Sequence, residues 1–267
     1  DYLYELEGST SCGRALEPEP FDGRTLGADL ALIRPPIPEF TILGGMAIDR
    51  DDIGHLLRMK TSAASFLYSA KLVARYGLAR LRHPRDPRLL MGNALIGRLL
   101  AAARRLDVTI LTQARVTELV TENGAVSGLV VSQGGVTRRL GATRGVVLAS
   151  GGFSRHPERR QEMLPAPAPQ WSPAAPGHTG ELHDIVLDLG AHYGTGQEQN
   201  TFWAPVSVRE RKDGSMAVFP HFVLDRSKPG TVCVGRDGRR FVNESRSYHE
   251  FVAAMYAANK DGSTIPA

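Results

Sequence analysis

The residues that could do chemistry lie in four short stretches of the 267-residue chain. Ser150-Gly151-Gly152 follows the apolar run Val146-Val147-Leu148-Ala149, a pattern that predicts a glycine turn at the end of a buried strand. Glycine admits positive φ and lets a ligand approach the main chain. The carboxyl ends of strands in open α/β sheets are also where ligands sit. Thr179-Gly180-Glu181 opens a helical run, where threonine is a natural N-cap. Phe202, Trp203, Phe219 and Phe222 offer surface for a flat, apolar substrate, whereas Arg226, Arg239, Arg240 and Arg246 offer the cations a dicarboxylate needs. Both substrate classes stay open at this point. Glu244 and Tyr248 place a carboxylate and a phenol in one stretch. With a reference pKa of about 10, a phenol takes a proton at neutral pH only if that value falls or a second group relays the proton.

Other chemistries find no support. The eight histidines show no metal-ligand spacing, so no metal site is expected. No Gly-x-Ser-x-Gly elbow occurs, which leaves serine hydrolase chemistry unsupported. Cys12 and Cys233 are far apart and form no C-x-x-C pair, which argues against a disulfide scaffold and points to a reducing cytoplasm. The formal charge is +4, part of it in Lys71, Arg75, Arg80, Arg82, Arg85 and Arg88. Such a run reads first as a solvated helix and loop, with a membrane-surface or partner-docking face as the alternative. Tyr76 is its one Phe, Trp or Tyr residue and makes no interleaved pattern, so nucleic acid is not an expected partner. The chain has no run of about 18 apolar residues, so no transmembrane helix is expected. Asp1-Tyr2-Leu3 does not start a signal peptide, and a chain without an initial Met reads as an excised piece.

The elements that must position these residues follow from periodicity. Pro35-Pro36-Ile37-Pro38 and Gly44-Gly45 read as loop. Arg50 to about Gly77 is helical, with Asp51-Asp52 as a possible cap. Ala94 to Arg105 is apolar at helical spacing, and Val108-Thr109-Ile110-Leu111 is a short strand-like run. Three strand runs, Arg115 to Thr121, Val126 to Ser132 and Val136 to Leu140, are separated by Glu122-Asn123-Gly124 and Gln133-Gly134-Gly135, which predicts an antiparallel meander. Helices are expected from Pro157 to Leu164 and from Glu181 to Leu189, the latter ended by Gly190. From about Thr195 the composition turns to aromatics, turns and short strands, which marks a second domain.

This order of elements, with its motifs, resembles the FAD-dependent fumarate reductase and succinate dehydrogenase flavoprotein superfamily, and within it the 3-ketosteroid-Δ1-dehydrogenase-like enzymes. Gly145 to Phe153 is similar to the family's Gly-Val-Val-Leu-Ala-Thr-Gly-Gly-Phe segment, with Ser150 in the threonine position. Thr179-Gly180-Glu181-Leu182 resembles its Thr-Gly-Asp-Gly helix start, departing from it at Glu181 and Leu182. Arg240-Phe241-Val242-Asn243-Glu244, followed by Tyr248, resembles its substrate-facing strand. Gly13 to Pro18 and Phe21-Asp22-Gly23 match more loosely.

The resemblance implies an α/β and α+β fold: part of an FAD-binding Rossmann-like domain over 1–194, plus a capping substrate domain over 195–267. Within the first, 1–90 would be a helical and loop insertion, and 92–153 a helix, parallel strands and the meander. It implies FAD as cofactor, met by Val116, Ala149, Ser150, Gly151, Gly152, Thr179, Gly180 and Glu181. It implies a substrate site at Phe202, Trp203 and Phe222. It also implies that Tyr248 takes a proton from the carbon beside the hydride donor, and that Glu244 belongs to a proton-delivery path. The implied reaction transfers a hydride to the flavin and desaturates a 3-ketosteroid-like substrate beside its carbonyl; the alternative is fumarate-reductase-like reduction of a C=C bond in a carboxylate substrate. The family's Gly-x-Gly-x-x-Gly pyrophosphate turn does not occur in the chain, nor does its C-terminal flavin segment. The chain therefore reads as the middle of such a flavoprotein, its partners being the remainder of that protein and an electron acceptor. Its alternative reading is a domain that does not hold FAD. A peripheral membrane association is compatible with either.

Overall fold

The computed structural model describes residues 16–194 and 200–259. They fall into two compact units that part between Ile110 and Leu111. The first unit is helical with short strands. Phe21–Asp22 (β1) pairs antiparallel with a later strand, Arg88–Leu89, and between them a 3₁₀ segment runs over Gly23–Leu32. Thr41–Ile42 (β2) and Met46–Ala47 (β3) form a small hairpin around the expected Gly44-Gly45 turn. Two helices follow, Arg50–Leu57 (α1) and Ala63–Arg80 (α2); then come β4, which is Arg88–Leu89, and Met91–Arg105 (α3). One core gathers Leu26, Leu30, Ile33, Leu89 and Ala94, and another Met46, Leu72 and Tyr76. The cap of α1 is Asp49 rather than Asp51 or Asp52. Its side chain accepts from the Asp52 N–H at 2.9 Å, and the Asp52 carboxylate accepts from the Asp49 N–H at 3.0 Å. An acid three residues after the cap closes a reciprocal capping box, which anchors the start of the helix.

The second unit opens with the expected meander. Arg115–Glu122 (β5), Ala125–Gln133 (β6) and Val136–Gly141 (β7) pair in sequence order, all antiparallel. Asn123 and Gly124 both take positive φ, 52° and 77°, which the tight two-residue hairpin requires. Pro157–Met163 (α4), capped by His156, and Glu181–Asp188 (α5) follow. The hairpin of Val206–Glu210 (β8) and Met216–Pro220 (β9) comes next. Val223–Arg226 (α6) and Tyr248–Ala258 (α7) complete the unit.

Three expectations are corrected. Val108 to Leu111 and Val146 to Ala149 are not strands, and Val147 is 91% exposed rather than buried. An apolar run becomes a buried strand only if neighbours take up its main-chain hydrogen bonds and cover its faces. No described strand pairs with 145–150, and every described pairing is antiparallel, so the parallel strands of the expected fold are not formed among these residues. The two compact units part at 110/111. Helix α3 belongs with the first unit, where Ala94 joins the Leu26–Leu30 core and Arg104 Nε pairs with Asp29 at 2.7 Å. Residues 195–199 lie outside the described residues, as do Gly13, Arg14 and Ala15.

Candidate functional site

A cavity of about 820 Å³ opens in the second unit. Five segments wall it: 152–154 at the end of the glycine turn, α4, the loop 169–174, residues 201–208 with Pro220 and Phe222, and α7. Its volume lies within the range of roughly 300–1,000 Å³ typical of small-molecule sites. Helix periodicity explains the contribution of α7. Tyr248, Val252 and Tyr256 stand one turn apart on one face. Val252, Met255 and Tyr256 line the cavity, and Tyr256 stacks at a tilt on Trp203, with ring centroids 5.3 Å apart. Ser247 caps the helix in a capping box with Glu250, which sets where Tyr248 stands.

The expected substrate residues converge here. Phe202, Trp203 and Phe222 all line the cavity; Trp203 is buried, whereas Phe202 is exposed. Gly152 joins them from the glycine turn. Tyr248 meets the cavity through Phe222, edge to face at 5.6 Å. Trp203 N–H donates to His249 Nδ1 at 3.2 Å, which ties the aromatic segment to the first turn of α7.

The expected cofactor residues form a neighbouring cluster. Gly180 is the left-handed N-cap of α5 (φ 71°), in place of Thr179, and packs against Phe153. Glu181 pairs with Arg115 at 2.9 Å, which brings the start of α5 to the strand that carries Val116. His183 Nε2 donates to the Gly151 carbonyl at 3.0 Å, and the Arg155 N–H donates to the His178 carbonyl at 2.9 Å. The glycine turn, α5 and β5 are thus laced together, while Ala149 and Ser150 are exposed just before the turn.

Glu244 stands apart from the cavity wall. It is buried, held bidentately by Arg240 (Nη2 at 2.5 Å from Oε2) and by the Cys233 N–H at 2.8 Å. The Arg240 guanidinium, against the cost of burial and helped by the main-chain N–H, lowers its pKa to about 2. The nearby arginines are committed as well. Arg226 donates to the carbonyls of His221, Glu244 and Arg246 and lies over the Phe251 ring, and Arg246 pairs with Glu250. They do not form the anion cluster that a dicarboxylate would need.

Sequence reasoning missed Arg160, Trp171 and Tyr256, all of which line the cavity. The spacing Tyr248–Val252–Tyr256 was a usable signal for Tyr256. For Arg160 and Trp171, brought in by α4 and the Pro-rich loop, there was none.

The fit to FAD can be tested on the glycine turn. Gly151 has φ 90°, and a Cβ there would come 2.5 Å from the His178 ring. One side of the turn is therefore filled by protein. The other side presents the main chain of 145–150 without a strand partner, next to the α5 start. This arrangement fits one edge of a dinucleotide; the sequence has no Gly-x-Gly-x-x-Gly turn to seat a pyrophosphate.

The chain is similar to the 4-oxocyclohex-2-ene-1-carboxylate 5-dehydrogenase of Sinomonas cyclohexanicum, 34% identical over 263 residues that cover 97% of this chain and 44% of that protein. It is 31% identical over 280 residues to the 3-oxosteroid 1-dehydrogenase of Mycobacterium tuberculosis, covering 100% of this chain and 47% of that one. The crystal structure of 3-ketosteroid Δ1-dehydrogenase from Sterolibacterium denitrificans in complex with 1,4-androstadiene-3,17-dione superposes with a TM-score of 0.79 at 31% identity, over 95% of this chain and 46% of that one. The chain thus spans about half the length of the curated relatives it matches. The model of the FAD binding domain family matches residues 4–267, and the chain belongs to that family.

Proposed function

We propose that this chain carries the substrate pocket and one edge of the cofactor site of an FAD-dependent dehydrogenase that desaturates a cyclic ketone. The observation that carries the reading is the single cavity in which Gly152, from the glycine turn, meets Trp203 and Phe222. Ala149 to Gly152, Val116 and Thr179 to Glu181 would hold FAD along an edge, and residues from 200 onward would face the substrate. When bound, FAD would supply the acceptor for a hydride leaving a ring carbon.

In this reading Tyr248 removes the proton from the neighbouring carbon, next to the ketone, so that the carbon–carbon double bond forms. Phe222 orients the Tyr248 ring, and Trp203 with Tyr256 stacks on the flat ring and keeps water from it. Glu244 organises the loop that delivers Tyr248: its buried carboxylate is taken up by Arg240 and the Cys233 N–H, away from the cavity wall. The relatives' names support a ketone substrate. No described helix is long and apolar enough to cross a membrane, and a reducing, cytoplasmic setting accords with a sequence whose two cysteines, Cys12 and Cys233, form no C-x-x-C pair. An external electron acceptor completes the cycle.

The test is Tyr248→Phe in the FAD-loaded protein. Loss of roughly 10²–10⁴-fold in kcat, with KM little changed, is the expected result for removal of a proton acceptor. Turnover equal to the unmodified protein rules Tyr248 out.

A further inference from the structure

Arg160 is the only charged residue among those that line the cavity; the rest are apolar or neutral polar. Its guanidinium donates only to main-chain carbonyls: Ser154 at 2.7 Å, Pro169, and Trp171 at 3.5 Å. No carboxylate pairs with it among the described residues. Arg155 nearby donates to the Ala174 carbonyl at 2.8 Å and also has no acidic partner among them. Burial, and secondarily the like charge of Arg155, push the Arg160 pKa down, as expected for a cation without a counter-ion. A charge drawn partly out of water is stabilised by an opposite one beside it. Carbonyl dipoles fix the orientation of the fork and leave its net charge uncancelled.

We propose that Arg160 is the anchor for an anionic group on the substrate, so that the pocket selects a cyclic ketone bearing a carboxylate over a neutral polycyclic one. This rests on the reading of the cavity as a ketone-desaturating site, and it names the substrate class of that site. The ring would lie against Trp203 and Tyr256, and the carboxylate would reach the guanidinium by α4. Arginine suits this task because its five N–H donors outnumber the three that the carbonyls take, and its uncancelled charge draws a carboxylate to the rest. The cavity has room for either substrate class, so charge rather than volume discriminates between them.

Binding can be read without turnover, since Trp171 and Trp203 both line the cavity. The protein is titrated with 4-oxocyclohexane-1-carboxylate, with its methyl ester, and with 1,4-androstadiene-3,17-dione, while tryptophan fluorescence is followed. The acid should bind at least tenfold more tightly than the ester, a preference that fades with added salt. Arg160→Met should bring the acid down to the level of the ester, by about 10- to 100-fold, and leave the ester unchanged; hydrogen bonds to charged groups have that size. Arg160→Lys should keep part of the preference. Should Arg160→Met fail to fold, the acid-to-ester ratio in the unmodified protein decides by itself. An ester that binds as tightly as the acid, a loss in Arg160→Met shared equally by both, or quenching by neither overturns the proposal. Turnover of the steroid with no binding of the acid sinks the anion preference and spares the desaturation reading. Tight binding of the acid with no desaturation of any of the three ketones does the reverse.

Discussion

Arg88 in the first unit and Arg160 in the second are both drawn partly out of water, yet they are neutralised in opposite ways. Arg88 meets two carboxylates, Asp52 at 2.5 Å and Asp49 at 2.7 Å, and Asp52 also accepts from the Tyr68 hydroxyl at 2.8 Å. Asp52 has no exposed surface. Burial pushes its carboxyl up, but the hydrogen bonds from Arg88, the Asp49 N–H and Tyr68 outweigh that, and it stays ionised. Charge and hydrogen bonds close on one another inside the unit. Among the described residues Arg160 meets only carbonyl oxygens, at the wall of a cavity. A buried charge that its own fold has saturated is structural; one left unsaturated beside open space is available to a ligand.

The sharpest way to break that comparison is to remove each guanidinium and measure stability by urea unfolding. Arg88→Met should cost about 3–5 kcal/mol, because it strands Asp52 as a buried, uncompensated charge. Arg160→Met should cost only about 1–2 kcal/mol, for hydrogen bonds to partly solvated carbonyls. Equal losses would mean that Arg160 is as structural as Arg88. An effect smaller than that of Arg88→Met is also expected at the rim of the cavity. Gly151→Ala must adopt φ 90° and push the His178 ring aside, at a cost of about 1–3 kcal/mol. Thermal melts should show this loss alongside weaker ligand binding; a neutral outcome would mean that the turn yields freely.

The smallest effect concerns the saturated charge of the second unit. The Glu244 carboxyl is lowered from the ordinary 4.5 to about 2 in the fold. Its contribution to stability is therefore complete above about pH 4.5 and is lost as pH falls toward 2. Glu244→Gln should flatten the stability curve across that window and lower stability modestly at pH 7, since its partner Arg240 is half exposed. A curve with unchanged slope would show that the pair does not differ between folded and unfolded states.

Local patterns were legible in the sequence wherever the chain interacts with its near neighbours. The meander was readable because Asn123-Gly124 and Gly134-Gly135 close hairpins between strand runs already adjacent in sequence. The helices at 157–163 and 181–188 were readable from their starts and apolar spacing. Val146 to Ala149 misled because a strand needs partners, and periodicity cannot say whether partners are in place.

The same division holds for the site. The sequence by itself determined the residue types and their local frames: the glycine turn at 150–152, the aromatic pair Phe202 and Trp203, and the acid-to-tyrosine stretch from Glu244 to Tyr248. Hydrogen bonds and steric limits within a few residues decide such features. Only the tertiary structure decided that Gly152, Trp203, Phe222 and Tyr256 share one cavity and that Glu244 is spent on Arg240. It alone left Arg160, at the wall of that cavity, without a carboxylate among the described residues. Those outcomes depend on which distant side chains meet and what burial does to their charge, and no spacing along the chain encodes that.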